Sequence, residues 1–424
     1  MASDKVETAV FEALSEIPVI DAHEHLRPES ERTARKVDFF ILFSTYSKAD
    51  LCGGGMAPEV YDRLRNDQDM PVEQKWKEFS PFYPHIRHGA YARPARIWLK
   101  DVLGYDDLTD ANYAEVSAKL QEWNVPGLYD RILCRMCHIR TALVACETYQ
   151  EYDFDLLKPL WRVINFISDK SILGFARGPQ TQCTAFGGRQ SPGRAGKGIG
   201  GYLDWMEEDF RRYLERGRVG VKAICFPYEA PDRAKADAIF DALRSRGPDQ
   251  GLHPAERATL ASVIYDRAFR LAQSHGLTVA VHSGVWGDFR ESAPAHLTPI
   301  ATRYPGVQFD LFHLGIPYVR EAVMIGKMFP NVSLNLCWTT ILSPELTVRM
   351  LDECIDMVPL NRIIAFGADY NLPVEKVYGH LKMAKQVVAR VLAKRIRRGE
   401  MDLPEASRIA GMWFHDNALA VYHL

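Results

Sequence analysis

Two histidines one residue apart, His23 and His25, end the segment Val19-Ile20-Asp21-Ala22-His23-Glu24-His25. Residues two apart on a β-strand point the same way, so Asp21, His23 and His25 are expected to share one face. Neutral imidazole is a good ligand for zinc and other first-row metals, and two of them side by side can hold one cation. Asp21, one step deeper, could accept a proton from an imidazole and fix its tautomer. Glu24 is expected to face the other way and anchor a loop or helix.

Three further chain positions repeat the theme. Val279-Ala280-Val281 runs into His282, Phe309-Asp310-Leu311-Phe312 into His313, and Ala365-Phe366-Gly367-Ala368 into Asp369. Each sets one metal-competent side chain directly after an apolar run. Lys222 ends another such run, Val219-Gly220-Val221.

These placements need a scaffold that brings strand ends together. Eight short runs rich in β-branched residues read as strands: 17–21, 139–145, 161–167, 219–224, 277–281, 307–312, 332–336 and 362–366. Near-continuous apolar runs suit parallel strands covered on both faces. From the fifth strand onward, strand starts recur at roughly 25–30 residues, about one βα unit each. The helix before the fifth strand is marked by Pro254 at its start and Gly276 after its end. The pattern predicts an α/β fold, a (β/α)8 TIM-type barrel, in which the C-terminal strand ends form the functional face. A doubly wound open sheet is the competing topology. Residues 1–424 are expected to form one catalytic barrel domain, with residues 26–137 a mostly helical insertion at its mouth between the first and second strands.

The His-X-His after strand one, His after strands five and six, and Asp after strand eight resemble the amidohydrolase superfamily, in particular its amidohydrolase 2 branch of metal-dependent hydrolases and decarboxylases. The likeness extends to Asn417-Ala418-Leu419-Ala420-Val421-Tyr422. The long segment after strand one is similar to that of uronate isomerases. Trp98-Leu99-Lys100-Asp101-Val102-Leu103-Gly104-Tyr105 and Phe166-Ile167-Ser168-Asp169-Lys170 carry that second resemblance. The chain departs from those isomerases in having Ala145-Cys146-Glu147-Thr148 where they carry Thr-Thr-Asp-Asp, and in having His313.

The resemblance implies that His23, His25, His282 and Asp369 hold one divalent ion, zinc or alternatively manganese, with water in the remaining position. It also implies that Asp369 exchanges protons with that water and that His313 polarises the scissile group. In some superfamily members a lysine placed as Lys222 is carboxylated and bridges two metals; Val221-Lys222-Ala223 looks more like the single-metal branch, with Lys222 in substrate binding or packing. Trp286 and Arg290 on the loop after His282, and Trp338 after strand seven, are candidate substrate contacts, Arg290 as a carboxylate clamp beside Asp288. The segment Tyr83–Arg93 is a candidate for setting specificity. The Gly-rich stretch 186–201 lacks P-loop spacing and reads as a surface loop or a lid. Cys134 and Cys137, a lone Cys-X-X-Cys, read as structural.

Composition narrows the partners. A formal net charge of −2 gives no reason to expect nucleic acid or an anionic membrane. Eight scattered cysteines read as reduced thiols. The first residues carry charge and no apolar run, so a cytoplasmic protein with a small-molecule substrate is expected, self-associated by analogy with its relatives. Three activities fit: hydrolysis at a C–N or C–O bond of a small carboxylate-bearing substrate, non-oxidative decarboxylation, and aldose–ketose isomerisation of a uronate.

Overall fold

The computed structural model describes residues 5–145, 155–177, 184–185, 189–190, 198–217, 219–246 and 250–424. Eight parallel strands follow one another around a barrel: β1 (Val19–Glu24), β2 (Ile139–Ala145), β3 (Leu157–Arg162), β4 (Gly220–Ile224), β5 (Thr278–His282), β6 (Phe309–Leu311), β7 (Val332–Asn335) and β8 (Ile363–Ile364). Neighbours in this order are hydrogen-bonded in parallel register. The circle closes through backbone bonds rather than a regular ladder: Ala22 N–H to the Phe366 carbonyl at 3.1 Å, Asp369 N–H to that of His23 at 2.8 Å, and His25 N–H to that of Tyr370 at 3.0 Å. This is the (β/α)8 barrel that the strand spacing predicts, and the open sheet is excluded.

The third strand differs from expectation. Leu157–Arg162 forms it, and Val163–Phe166 is a 3-10 turn beyond its end. The β-branched run after Trp161 imitated a strand, while Pro159, which pairs with Val144, disguised the real one.

The barrel interior packs Ile20, Ala22, Leu143, Leu160, Ala280, Phe312 and Ile364, with Ala418 and Tyr422 from the last helix (Asn417–Tyr422) against them. The Tyr422 hydroxyl donates to Asp310 at 2.7 Å, and the Asn335 amide donates to the same carboxylate at 2.8 Å. That buried acid therefore anchors the last helix to the barrel interior and is not free for chemistry.

Between β1 and β2 the described chain is helical and includes α1 (Ser47–Gly53) and α2 (Ala92–Asp101). Helix α3 (Pro254–Ser274) precedes β5. Pro254 sits in its first turn and the Glu256 carboxylate accepts the His253 N–H at 3.0 Å, as a capping box requires. Helix α4 (Glu375–Arg397) follows β8 and binds the segment after β1 through buried Arg32, which donates to Glu375 at 2.6 Å and to the Leu372 carbonyl at 2.9 Å. Among the described residues no helix is long and apolar enough to cross a membrane.

Candidate metal centre and barrel mouth

His23 and His25 leave β1 at its C-terminal end, and Asp369 lies just past β8. The barrel seam joins the two, because the Asp369 N–H is bonded to the His23 carbonyl. Both imidazoles therefore meet one carboxylate: His23 Nε2 and His25 Nε2 each lie 3.5 Å from Asp369 Oδ1. One ligand atom from each residue falls within 4.8 Å of the others.

Burial sets the charge states. It pushes His23 and His25 well below the ordinary histidine range, helped by Lys222 beside His23 and Arg162 beside His25. Both rings are thus neutral, the form that ligates metals. His25 also hydrogen-bonds the Ala145 carbonyl. Holding one ring nitrogen in this way leaves the other for a ligand. Burial raises Asp369 to about 7, while Lys222 and the Tyr46 hydroxyl pull it down. Two neutral imidazoles converging on one buried carboxylate fit a divalent first-row ion.

Other predicted residues fall differently. Asp21 Oδ1 accepts the backbone N–H groups of His23 at 3.2 Å and Ala368 at 3.1 Å, so it holds the seam rather than an imidazole. A register irregularity between Asp21 and Glu24 breaks the strict alternation and lets these two carboxyls hydrogen-bond. Burial raises both, which keeps a proton between them. Glu24 also accepts the Tyr370 N–H at 2.6 Å, anchoring the loop after β8.

His282 stands outside the three-residue cluster. Its Nε2 is 2.9 Å from the Val285 carbonyl and its Nδ1 is 2.9 Å from His313 Nε2. His313 in turn places Nδ1 3.1 Å from the Cys337 carbonyl. His313 is buried and His282 half-buried, and loss of solvent lowers His282 to about 4. The geometry makes them a joined pair beside the cluster, with His282 turned to its own loop instead of to Asp369.

Lys222 is buried with Nζ 3.4 Å from His23 Nε2 and 3.9 Å from the centre of the Phe312 ring. Burial lowers it to about 8. Arg290 does not approach the centre: its side chain is 78% exposed and forks onto Asp288. The segment Tyr83–Arg93 sends Tyr91 toward the mouth, while Arg87 pairs with Asp107. Cys134 and Cys137 are not joined in a disulfide, and Cys137 is buried. Most of the Gly-rich stretch 186–201, and residues 146–148, lie outside the described residues.

Sequence reasoning missed Tyr46. Its hydroxyl donates to Asp369 Oδ1 at 2.8 Å, and its ring stacks on Trp286 (5.1 Å between centres, 21° between planes). Trp338 touches Tyr46 at 5.0 Å, Trp286 at 4.8 Å and Tyr91 at 5.6 Å. Four rings thus form a wall at the mouth beside Asp369. No local pattern marks Tyr46, because Asp369, Trp286 and Trp338 are hundreds of residues away.

Backbone strain gathers in the same place. Tyr46, Trp286, His313, Leu314, Trp338 and Asp369 all have positive φ, between 47° and 82°. Among the described residues only His138 and His423 share this conformation without being glycine. Each such residue costs on the order of 1–3 kcal/mol, and such strain clusters at functional sites. Gly284 has φ +64°, and a Cβ there would lie 1.9 Å from the Ile316 carbonyl oxygen, so only glycine fits two residues after His282.

Comparison with known proteins gives the arrangement a lineage. A uronate isomerase from Thermotoga maritima superposes with a TM-score of 0.78 at 14% identity, covering 99% of this chain and 98% of its own. A glucuronate isomerase from Caulobacter crescentus gives 0.77 at 16% identity, covering 99% and 94%. A protein from Lactobacillus casei, provisionally described as a metal-dependent hydrolase, gives 0.66 at 15% identity, covering 98% and 97%. At these identities the likeness establishes the fold. By sequence, Protein fluG of Emericella nidulans is 27% identical over 135 residues, which is 32% of this chain; the match spans 16% of that longer relative. The family model described as Amidohydrolase (Amidohydro_2) matches residues 185–424, more than half of the chain and the part that carries β4 to β8, His282, His313 and Asp369. The chain belongs to the amidohydrolase family.

Proposed function

We propose that the protein is a metal-dependent hydrolase that cleaves a C–N or C–O bond of a small, carboxylate-bearing substrate. The observation that carries this reading is the convergence of His23 and His25 on Asp369. These three residues would hold one divalent ion, for which zinc or manganese suits the nitrogen and oxygen donors. When bound, such an ion lowers the pKa of water and polarises a substrate oxygen.

The chain's own groups do the rest. Asp369 is placed to take a proton from the attacking water and return it to the leaving group. The Tyr46 hydroxyl fixes the orientation of that carboxylate. His313, whose two ring nitrogens are engaged by the Cys337 carbonyl and by His282, would donate to an oxygen on which negative charge develops only after substrate displaces His282. Lys222 adds positive charge to the mouth and opposes protonation of His23. The aromatic wall keeps bulk water from one side.

Metal analysis of the purified protein, with a panel of N-acyl amino acids and lactones, tests this reading. About one equivalent of metal per chain is expected, and His23→Ala should lose both metal and hydrolysis. Full activity in metal-free protein, or in His23→Ala, overturns it. The shape shared with uronate isomerases supports a second reading, isomerisation of a hexuronate, which proton NMR of the sugar would detect. Carbon dioxide release from hydroxybenzoate-type acids would instead identify a decarboxylase.

A further inference from the structure

A cavity of about 510 Å³ lies at the C-terminal ends of β4 and β5. That is within the roughly 300–1,000 Å³ of small-molecule sites. Its floor and walls are Ile167, Ile224, Phe226, Ala258, Ala261 and Trp286. Its lining contacts the mouth in two places, once at the His282–His313 pair and once, through Tyr46, at Asp369. Ile224 is the register partner of His282, and the Cys225 N–H donates to the His282 carbonyl at 2.8 Å. Trp286, which lines the cavity, stacks on Tyr46, and Tyr46 is bonded to Asp369.

The charged residues around the cavity are turned to one another. Arg257 forks onto Asp169 with two bonds of 2.9 Å, and Asp288 is taken by Arg290. Glu291 adds a further negative group to the lining. The described residues therefore offer no free cation for an acidic group, and no row of donors and acceptors for a polyol. A larger cavity of about 710 Å³, between α2 and α4, is lined by charges paired among themselves, such as Lys382 with Asp101 and Lys100 with Asp106, and lacks any such link to the centre.

We propose that the 510 Å³ cavity is the subsite for a neutral, apolar part of the substrate, of the size of a phenyl, indolyl or branched alkyl group. The substrate class is then a carboxylate-bearing compound with an apolar side chain, its scissile bond beside Asp369 and its side chain against Trp286. This rests on the hydrolytic reading for the polar end only; the subsite itself stands on the cavity's lining.

Calorimetric titration of the metal-loaded protein tests the proposal, with N-acetylphenylalanine, N-acetylalanine and glucuronate as probes. N-acetylphenylalanine should bind at least tenfold more tightly than N-acetylalanine, and glucuronate should not bind more tightly than either. Ala258→Leu, on the half-buried face of α3, should shrink the preference to under threefold with an unchanged melting temperature. Trp286→Ala, at an exposed position, should do the same by removing one wall. Equal binding of the two acetylated amino acids, no binding of any probe, or a preference that survives both substitutions overturns the subsite. The two readings fail separately. A phenyl preference in a protein that cleaves no amide or ester leaves the subsite standing and removes the hydrolase. Cleavage without that preference does the reverse.

Discussion

The phenolic hydroxyl of Tyr46 donates a 2.8 Å hydrogen bond to Asp369 Oδ1, linking the helical segment after β1 to the loop after β8. Tyr46→Phe removes this bond and keeps the ring stacked on Trp286. A hydrogen bond to a charged group is worth about 1.5–3 kcal/mol, so kcat should fall roughly tenfold to a hundredfold. Metal content and melting temperature should stay near wild type. An unchanged kcat would mean that the bond does not position the carboxylate during turnover.

Arg290 gives the opposite expectation. Its guanidinium is exposed and satisfied by Asp288, an arrangement that solvent and salt screen strongly. Arg290→Ala should leave kcat/KM within about twofold and the melting temperature unchanged. A tenfold rise in KM would restore the carboxylate clamp suggested by its place in the sequence.

Gly367 lies between two parts of the centre. A Cβ there would lie 2.5 Å from the Cys337 Cβ and 3.0 Å from the His23 backbone nitrogen. Gly367→Ala should cost about 1–3 kcal/mol in thermal melts, as overpacking does. By moving His23 it should also speed loss of metal to a chelator. A variant that is destabilised but keeps its metal as tightly as wild type would show that the strain relaxes toward Cys337 alone.

His380 on α4 predicts a pH dependence. It is buried against Phe366 and Tyr370, and burial lowers it to about 3. The unfolded chain, with histidine near 6.5, therefore binds this proton more readily than the folded one. Stability is retained above pH 6.5 and falls as the pH drops from there toward 3. His380→Leu should flatten that fall in urea titrations at pH 7 and pH 4. Equal slopes for the two proteins would place the acid sensitivity elsewhere.

The barrel was legible because buried parallel strands must be apolar, and the polar residue that ends each run shows where it leaves the core. His23, His25 and Asp369 could be picked out on that ground. Their distances could not, because they depend on seam bonds between residues about 345 apart in sequence, such as Asp369 to His23. His282 shows the limit. Its place after β5 is evident, yet the direction of its ring is set by the Val285 carbonyl and by His313. Tyr46 and the apolar cavity left no trace in periodicity, since both are made by loops and helix faces brought together from distant parts of the chain.

The seam bonds between β1 and β8 also set a timetable for the molecule's making. The first strand emerges from the ribosome carrying two imidazoles, and the carboxylate they converge on comes almost 350 residues later. Until residues 366–370 have been synthesised and docked on β1, the barrel has two open edges and no three-residue centre. Capture of an ion by all three residues would thereby wait for residues 366–370, and an ion bound there would clasp the first and last strands of the sheet to each other. Nascent chains arrested before and after residue 370, and tested for zinc retention, would show the change as a step.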